Sequence, residues 1–310
     1  MERIEAASAP KEQSPTTITM PEKFTDAARE EGLQSIIMQL KNNPSRVWLT
    51  NSLYSYMVNR VSGTELKSLE KKIGGEAAAQ AYEANLKNVA REAASQGLPI
   101  DNDIGWFSYT GMEDAQRNRT RMNKLIGGKT VEVAISRKEY FTVPVGSGSP
   151  EEVLARVAVF QNALPALAKE LSELSIKNGD RISFKVPGNL QYFLKHPDSL
   201  VVHYGKEEQS AEIRAIVAKY LSALGMSPTR DNRAETGFDF KSETDLFDGS
   251  HSSLMSAVIA DRMVRAVKAN PALARANPED IQAFLDRTGA EVAGYSPAEM
   301  LTRLEQITTA

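Results

Sequence analysis

Apolar residues recur at helical spacing through the first hundred positions. Phe24, Ala28, Leu33, Ile36, Ile37 and Leu40 fall along one helix, opened by Pro21 or Thr25. Trp48, Leu49, Leu53, Tyr56 and Met57 share a face of a second. Thr64 with Glu65 and Leu66 marks another start, and Gly74-Gly75 closes that helix. Glu76 to Ser95 is alanine-rich and strongly helix-forming, ending at Gly97-Leu-Pro. The pattern predicts a helical region over 21–98, behind a Ser/Thr/Pro-rich leader over 1–20 with the composition of an unstructured segment.

The period then changes to two. TVEVAI (130–135) and EYFTVPV (139–145) alternate and are rich in β-branched residues, which predicts two strands around a charged hairpin loop, SRKE. GSGS (146–149) reads as a flexible linker. Ser149 and Pro150 then supply the N-cap and first residue of a long helix, with Glu151 and Glu152 at its positive end. RISFKVP and SLVVHYG predict strands on either side of a Pro187-Gly188 turn and a short QYFLK segment, and a helix follows from about Gln209 to Leu224. The stretch 227–250 is long, polar and glycine-punctuated, a candidate lid or binding rim. From Ser252 to about Leu304 helical spacing returns, with Met255, Ile259, Met263 and Val267 as the apolar stripe and Arg262 and Arg265 facing water. Helix pairs alternating with short strands predict an α+β fold, with a mixed domain of short, antiparallel strands and packed helices over 99–310.

Composition narrows the chemistry. The net charge of -3 gives no bulk attraction to nucleic acid. Cysteine is absent, which removes disulfides, thiol catalysis and thiolate metal sites. No apolar run approaches the roughly 18 residues of a membrane helix. Leu125-Ile-Gly-Gly-Lys-Thr130 lacks the spacing of a phosphate-binding P-loop, and its glycines read as a turn. Three histidines without an H-E-x-x-H motif offer no metal cluster.

What remains is concentrated in Asp180–Tyr204, which carries Lys185, Lys195, His196, Asp198, His203 and Tyr204 on and between two strands. Alternation places Ser183 and Lys185 on one face of the first strand, and His203 and Tyr204 on opposite faces of the second. A lysine desolvated among cations can lose its proton and serve as a base; equally, this one can face water. Each histidine can be a structural residue or a proton donor. Arg137 and Tyr140 add donors suited to phosphate or carboxylate, and RNRTRMNK, with Arg117, Arg119, Arg121 and Lys124, is a denser basic run that can meet solvent or an acidic partner. These residues describe an anion-handling cleft rather than one reaction.

The order Gly105-Trp-Phe-x-Tyr109, Arg137-Lys-Glu-Tyr140, ISFKVP (182–187), HPDSLVVHY (196–204) and a helix entry at Ser250-His251 resembles the HopA-type family of type III secreted effectors from plant-associated bacteria. That family is similar to phosphothreonine/phosphoserine lyase domains, including relatives used in lanthipeptide maturation. The resemblance implies cofactor-free β-elimination with Lys185 as base, His196 or His203 as acid, and Arg137, Tyr140, Lys195 and Tyr204 around the phosphate. It also implies export by a type III system from the bacterial cytoplasm into a eukaryotic host. The partners implied are a host protein carrying phosphate and a dedicated secretion chaperone, for which Phe24, Leu33, Ile36 and Ile37 are available unless they serve ordinary packing within the helical region. Two departures stand out. His196 occupies a place where the family pattern has arginine, and SHSSLM at 250–255 lacks the arginine expected near the last helix. A partner-binding effector without activity and a non-exported peptide-modifying lyase are the alternatives.

Overall fold

Thr25 opens the first helix, α1 (Asp26–Lys41), by accepting a hydrogen bond from the Ala28 amide at 3.1 Å. A computed structural model describes residues 17–21, 24–42, 45–98, 100–103, 105–109, 120–126, 129–180, 182–196, 198–206, 208–225, 233–240, 251–295, 299–300 and 302–303; over 101–103, 120–126, 129–136 and 233–240, and at 251, only the backbone is described. Helix α2 (Arg46–Val58) packs against α1, and α3 (Gly63–Ile73) and α4 (Gly75–Ser95) follow. The start of α3 lies at Ser62 rather than Thr64: Ser62 and Glu65 form a reciprocal capping box. Glu65 also accepts from the Thr25 hydroxyl at 2.6 Å, which ties the starts of α1 and α3 together. Trp48 is not on the buried face expected for it. It is 61% exposed, because Leu49 and Leu53 face the core and position 48 lies about 140° round the helix from Leu53.

The strands form one antiparallel seven-stranded sheet. Its members are β2 (Ile100–Asp103), β3 (Trp106–Tyr109), β4 (Thr120–Ile126), β5 (Lys129–Phe141), β7 (Ser183–Pro187), β8 (Leu200–Tyr204) and β9 (Arg233–Phe240). The order is β2-β3-β7-β8-β5-β4, with β9 also on β5. Two expectations change here. The two strands predicted around SRKE are one continuous strand, β5, because β8 and β9 both pair with Arg137–Tyr140 and leave no room for a hairpin. The polar stretch 227–250 contains strand β9; its remainder lies outside the described residues, as do Arg117, Arg119 and Gly127-Gly128.

A separate pair joins β1 (Ile18–Thr19) to β6 (Ser147–Gly148). GSGS is therefore a structured segment rather than a linker, and Ile18 and Met20 are buried in the main core although they fall within the expected leader. Residues 1–16 lie outside the described residues. Helix α5 (Pro150–Asn178) starts at Ser149 as expected, with Glu152 completing a capping box. The remaining helices are α6 (Leu190–Lys195), α7 (Gln209–Ala223), α8 (His251–Ala269) and α9 (Pro278–Ala293), with a 3-10 turn at Pro271–Arg275.

Helical and strand elements thus build a helical N-terminal region followed by a mixed domain of short antiparallel strands and packed helices. The main core lies between one sheet face and α3, α4, α5 and α7. A second core joins α1 and α2 to α8 and α9 from the other end of the chain. Ile259, Met263 and Val267 of the expected stripe are buried there, with Met255 packed at the edge. Leu33, Ile36 and Ile37 are also buried in this second core, the ordinary helix packing that is the alternative to a chaperone contact. Asp261 of α8 pairs with Arg46 at 2.9 Å and Arg265 at 2.7 Å, and Tyr56 hydrogen-bonds Gln282 of α9.

Candidate functional site

Register across the sheet sorts the candidate residues. Lys185 of β7 lies opposite Ser108 of β3 and Val201 of β8, and Val201 lies opposite Tyr140 of β5. One step along, Ser183, His203 and Lys138 form a second row on the same face. Residues paired directly across antiparallel strands share a face. This face therefore carries Trp106, Ser108, Lys138, Tyr140, Ser183, Lys185 and His203. The other face is apolar over most of its area: Phe107, Tyr109, Phe141, Phe184, Val186, Leu200 and Val202 enter the main core.

The alternation that exposes Lys185 to the polar face is thus the same one that anchors β7 through Phe184 and Val186. Lys185, Ser108, Trp106 and Tyr140 are half-buried, while Lys138 and His203 are buried. Lys185 and His203 are diagonal neighbours on adjacent strands, a separation of about 7 Å between backbones that long side chains can span.

An aromatic cluster borders Lys185. Its Nζ lies 4.4 Å from the centroid of the Trp106 ring. Tyr192 meets Trp106 edge-on at 6.2 Å, and His196 lies 6.0 Å from Trp106 and 5.1 Å from Tyr192. Local backbone features hold this cluster. Asn189 caps α6 by accepting from the Tyr192 amide at 2.8 Å. Gly105 has φ +78, and a Cβ there would stand 2.8 Å from the Tyr192 ring. The Gly188 amide donates to the Gly105 carbonyl at 2.9 Å, and a Cβ on Gly188 would press on the same backbone. Glycine at both positions lets β3, the turn after β7 and α6 meet closely enough to set Trp106 edge-on against Tyr192.

His196 sits in an electropositive, mostly dry environment. Burial is the main force pushing its pKa down to about 4; Lys195, Arg60 and Lys185 add to this, and a hydrogen bond to the Val58 backbone opposes it. Its surroundings therefore favour the neutral imidazole at pH 7. Arg60 is 4% exposed and donates to the Phe193 and Leu194 carbonyls at 2.9 and 3.1 Å, closing the end of α6. Burial lowers its pKa to about 10, against the attraction of Asp198, so it keeps its charge at neutral pH.

Arg137 and Tyr204 do not join this group. They are paired across β5 and β8 on the apolar-facing side of the sheet. Tyr204 is buried there and donates to Glu139 at 3.2 Å; burial, with the Glu139 carboxylate beside it, raises its pKa. Glu139 is fully buried and also accepts from Ser210 at 2.5 Å and Arg214 at 2.9 Å. The expected phosphate holders are thus divided, with Tyr140 on the Lys185 face and Lys195 at the end of α6 beside His196, and Arg137 and Tyr204 behind the sheet.

Sequence reading missed Trp106, Tyr192 and Arg60 as members of the site. Trp106 becomes a neighbour of Lys185 only through β3–β7 pairing across 78 intervening residues, which local pattern does not encode. Arg60 is one basic residue between two helices, with no local signal at all. His251 begins α8, but its side chain lies outside the described residues. Among the described residues no cluster of His, Asp or Glu could hold a metal ion, and no helix is long and apolar enough to cross a membrane.

No protein-family model matches the chain, and no curated protein matches it. Among solved structures it shows a distant likeness to an effector protein from Pseudomonas syringae pv. syringae strain 61, at 10% identity and a TM-score of 0.31, covering 80% of this chain and 94% of that one.

Proposed function

We propose that this chain is an effector of the type III secreted kind whose polar sheet face binds a phosphorylated side chain and eliminates its phosphate. Placement of Lys185 and His203 as diagonal neighbours on one face, with Tyr140 and Lys138 on the next strand, is the observation that carries this reading. Lys185, acting as the free amine, takes the α-proton of a phosphothreonine or phosphoserine. The electron pair of that C–H bond forms the Cα=Cβ double bond, and the Cβ–O bond breaks with its electrons going to phosphate. His203 donates a proton to the leaving oxygen, so the products are a dehydroamino acid and inorganic phosphate, with no cofactor or redox partner. Tyr140 and Lys195 supply donors and charge to the phosphate oxygens. A host phosphoprotein is the substrate class, and a secretion chaperone the partner before export.

Purified protein incubated with phosphothreonine and phosphoserine peptides tests this by intact mass. The expected result is loss of one phosphoric acid per phosphate, reduced about 100-fold or more in Lys185→Ala, the scale of a lost general base. Hydrolysis, which would leave the hydroxyl in place, or no change across a broad peptide set would sink the lyase reading. The use of Arg137 and Tyr204 behind the sheet, which thins the phosphate ligands, favours a second reading in which the face binds an anionic partner without reacting. Phosphopeptide binding without mass change would support that one.

A further inference from the structure

We propose that Trp106 is the positioning residue for Lys185, holding its Nζ on the ring face and stabilising the ammonium formed as the α-proton is taken. This inference rests on the lyase reading above for its catalytic part. The contact itself stands on geometry: Nζ lies 4.4 Å from the ring centroid, well inside the range over which an aromatic face attracts a cation. Trp106 is in turn braced by Tyr192, whose ring packs against Gly105, so the indole is a fixed surface rather than a loose neighbour.

A ring that attracts the charged amine more than the neutral one interacts more strongly late in proton abstraction than before it. Interactions that strengthen towards the transition state raise kcat rather than substrate affinity. The ring also works against the other charges near Lys185. Lys138, His203 and Tyr140 share its sheet face, Lys185 acts on His196 together with Lys195 and Arg60, and Asp198 acts on Arg60, so a further positive charge is disfavoured by the cations of this cluster. Trp106 offsets the cations at the one atom that must become positive.

The test compares wild type with Trp106→Leu and Trp106→Phe. Titration of Lys185 is followed without substrate by pH-dependent acetylation and peptide mass spectrometry, with exposed Lys177 as the control site. In Trp106→Leu the Lys185 pKa should fall by about 0.5 to 1 unit, with Phe recovering part of the shift and Lys177 unmoved. With phosphopeptide, kcat should fall about 2- to 30-fold in the Leu variant while KM stays within error, and Phe should restore part of the rate. Circular dichroism and thermal unfolding identify a variant that has lost β3 pairing, in which case the Phe variant alone is scored. An unchanged Lys185 titration in both variants overturns the inference whatever the activity. A shifted titration in a wild-type protein that releases no phosphate keeps the ring contact and removes the lyase reading instead.

Discussion

Burial favours a neutral His196 ring where it packs beside Trp106 and Tyr192. Its folded pKa of about 4 lies below the ordinary value of 6.5, so the unfolded chain binds the proton more readily between these values. Stability contributed by neutral His196 is complete above pH 6.5 and is lost as pH falls through 4. The size is about 3 kcal/mol if the whole shift is realised. A His196→Gln variant should therefore show a shallower decline of unfolding free energy than wild type between pH 6.5 and 4, with the ring of the wild-type protein titrating near 4 by NMR. An equal slope in both proteins would mean that burial does not hold the ring neutral.

At the scale of elements, close approach decides what a helix can carry. A Cβ on Gly32 of α1 would stand 2.9 Å from the Tyr56 ring and 3.0 Å from its Cα, so α1 and α2 touch at that point with nothing to spare. Gly289 of α9 has open space around it. Alanine improves helix propensity by about 1 kcal/mol at either position. At Gly32 the overpacking cost of about 1–3 kcal/mol exceeds that gain. Gly32→Ala should lower the thermal midpoint and Gly289→Ala should raise it; a rise in both would refute the tight contact. Elements of this kind were largely legible in the sequence. Ser149-Pro150 and Thr25 mark helix starts by local chemistry, and Phe184 and Val186 reveal their strand by alternation. What local pattern could not supply was pairing. SRKE reads as a loop until two strands are known to flank it, and Arg137 and Tyr204 look like partners of Lys185 until register turns them to the other face.

The whole molecule is closed by its ends. Leu33, Ile36, Leu49 and Leu53 near the start of the chain share a core with Leu254, Val258, Met263, Ile281 and Leu285 near its end. Deleting α9 should uncover this core, and deleting α1 and α2 should uncover α8, so neither truncation should retain a single cooperative transition. Limited proteolysis would show cleavage within 251–269 once residues 1–62 are removed; protection of that helix would mean that α8 is held by the sheet alone. Deletion of a purely peripheral segment would leave the melting profile unchanged.

This junction of distant segments also sets a schedule. During synthesis α1 and α2 leave the ribosome long before α8 and α9 exist, and roughly two hundred residues separate Met57 from its neighbour Ser256. For that interval the greasy sides of the first two helices that α8 and α9 will cover have only each other, and contacts of such long sequence separation form slowly even once both halves are present. A binder that reaches those helices first competes with nothing but water. The completed fold, by contrast, hides the same residues, so occupancy of that surface depends on when it is met rather than on how tightly it is held.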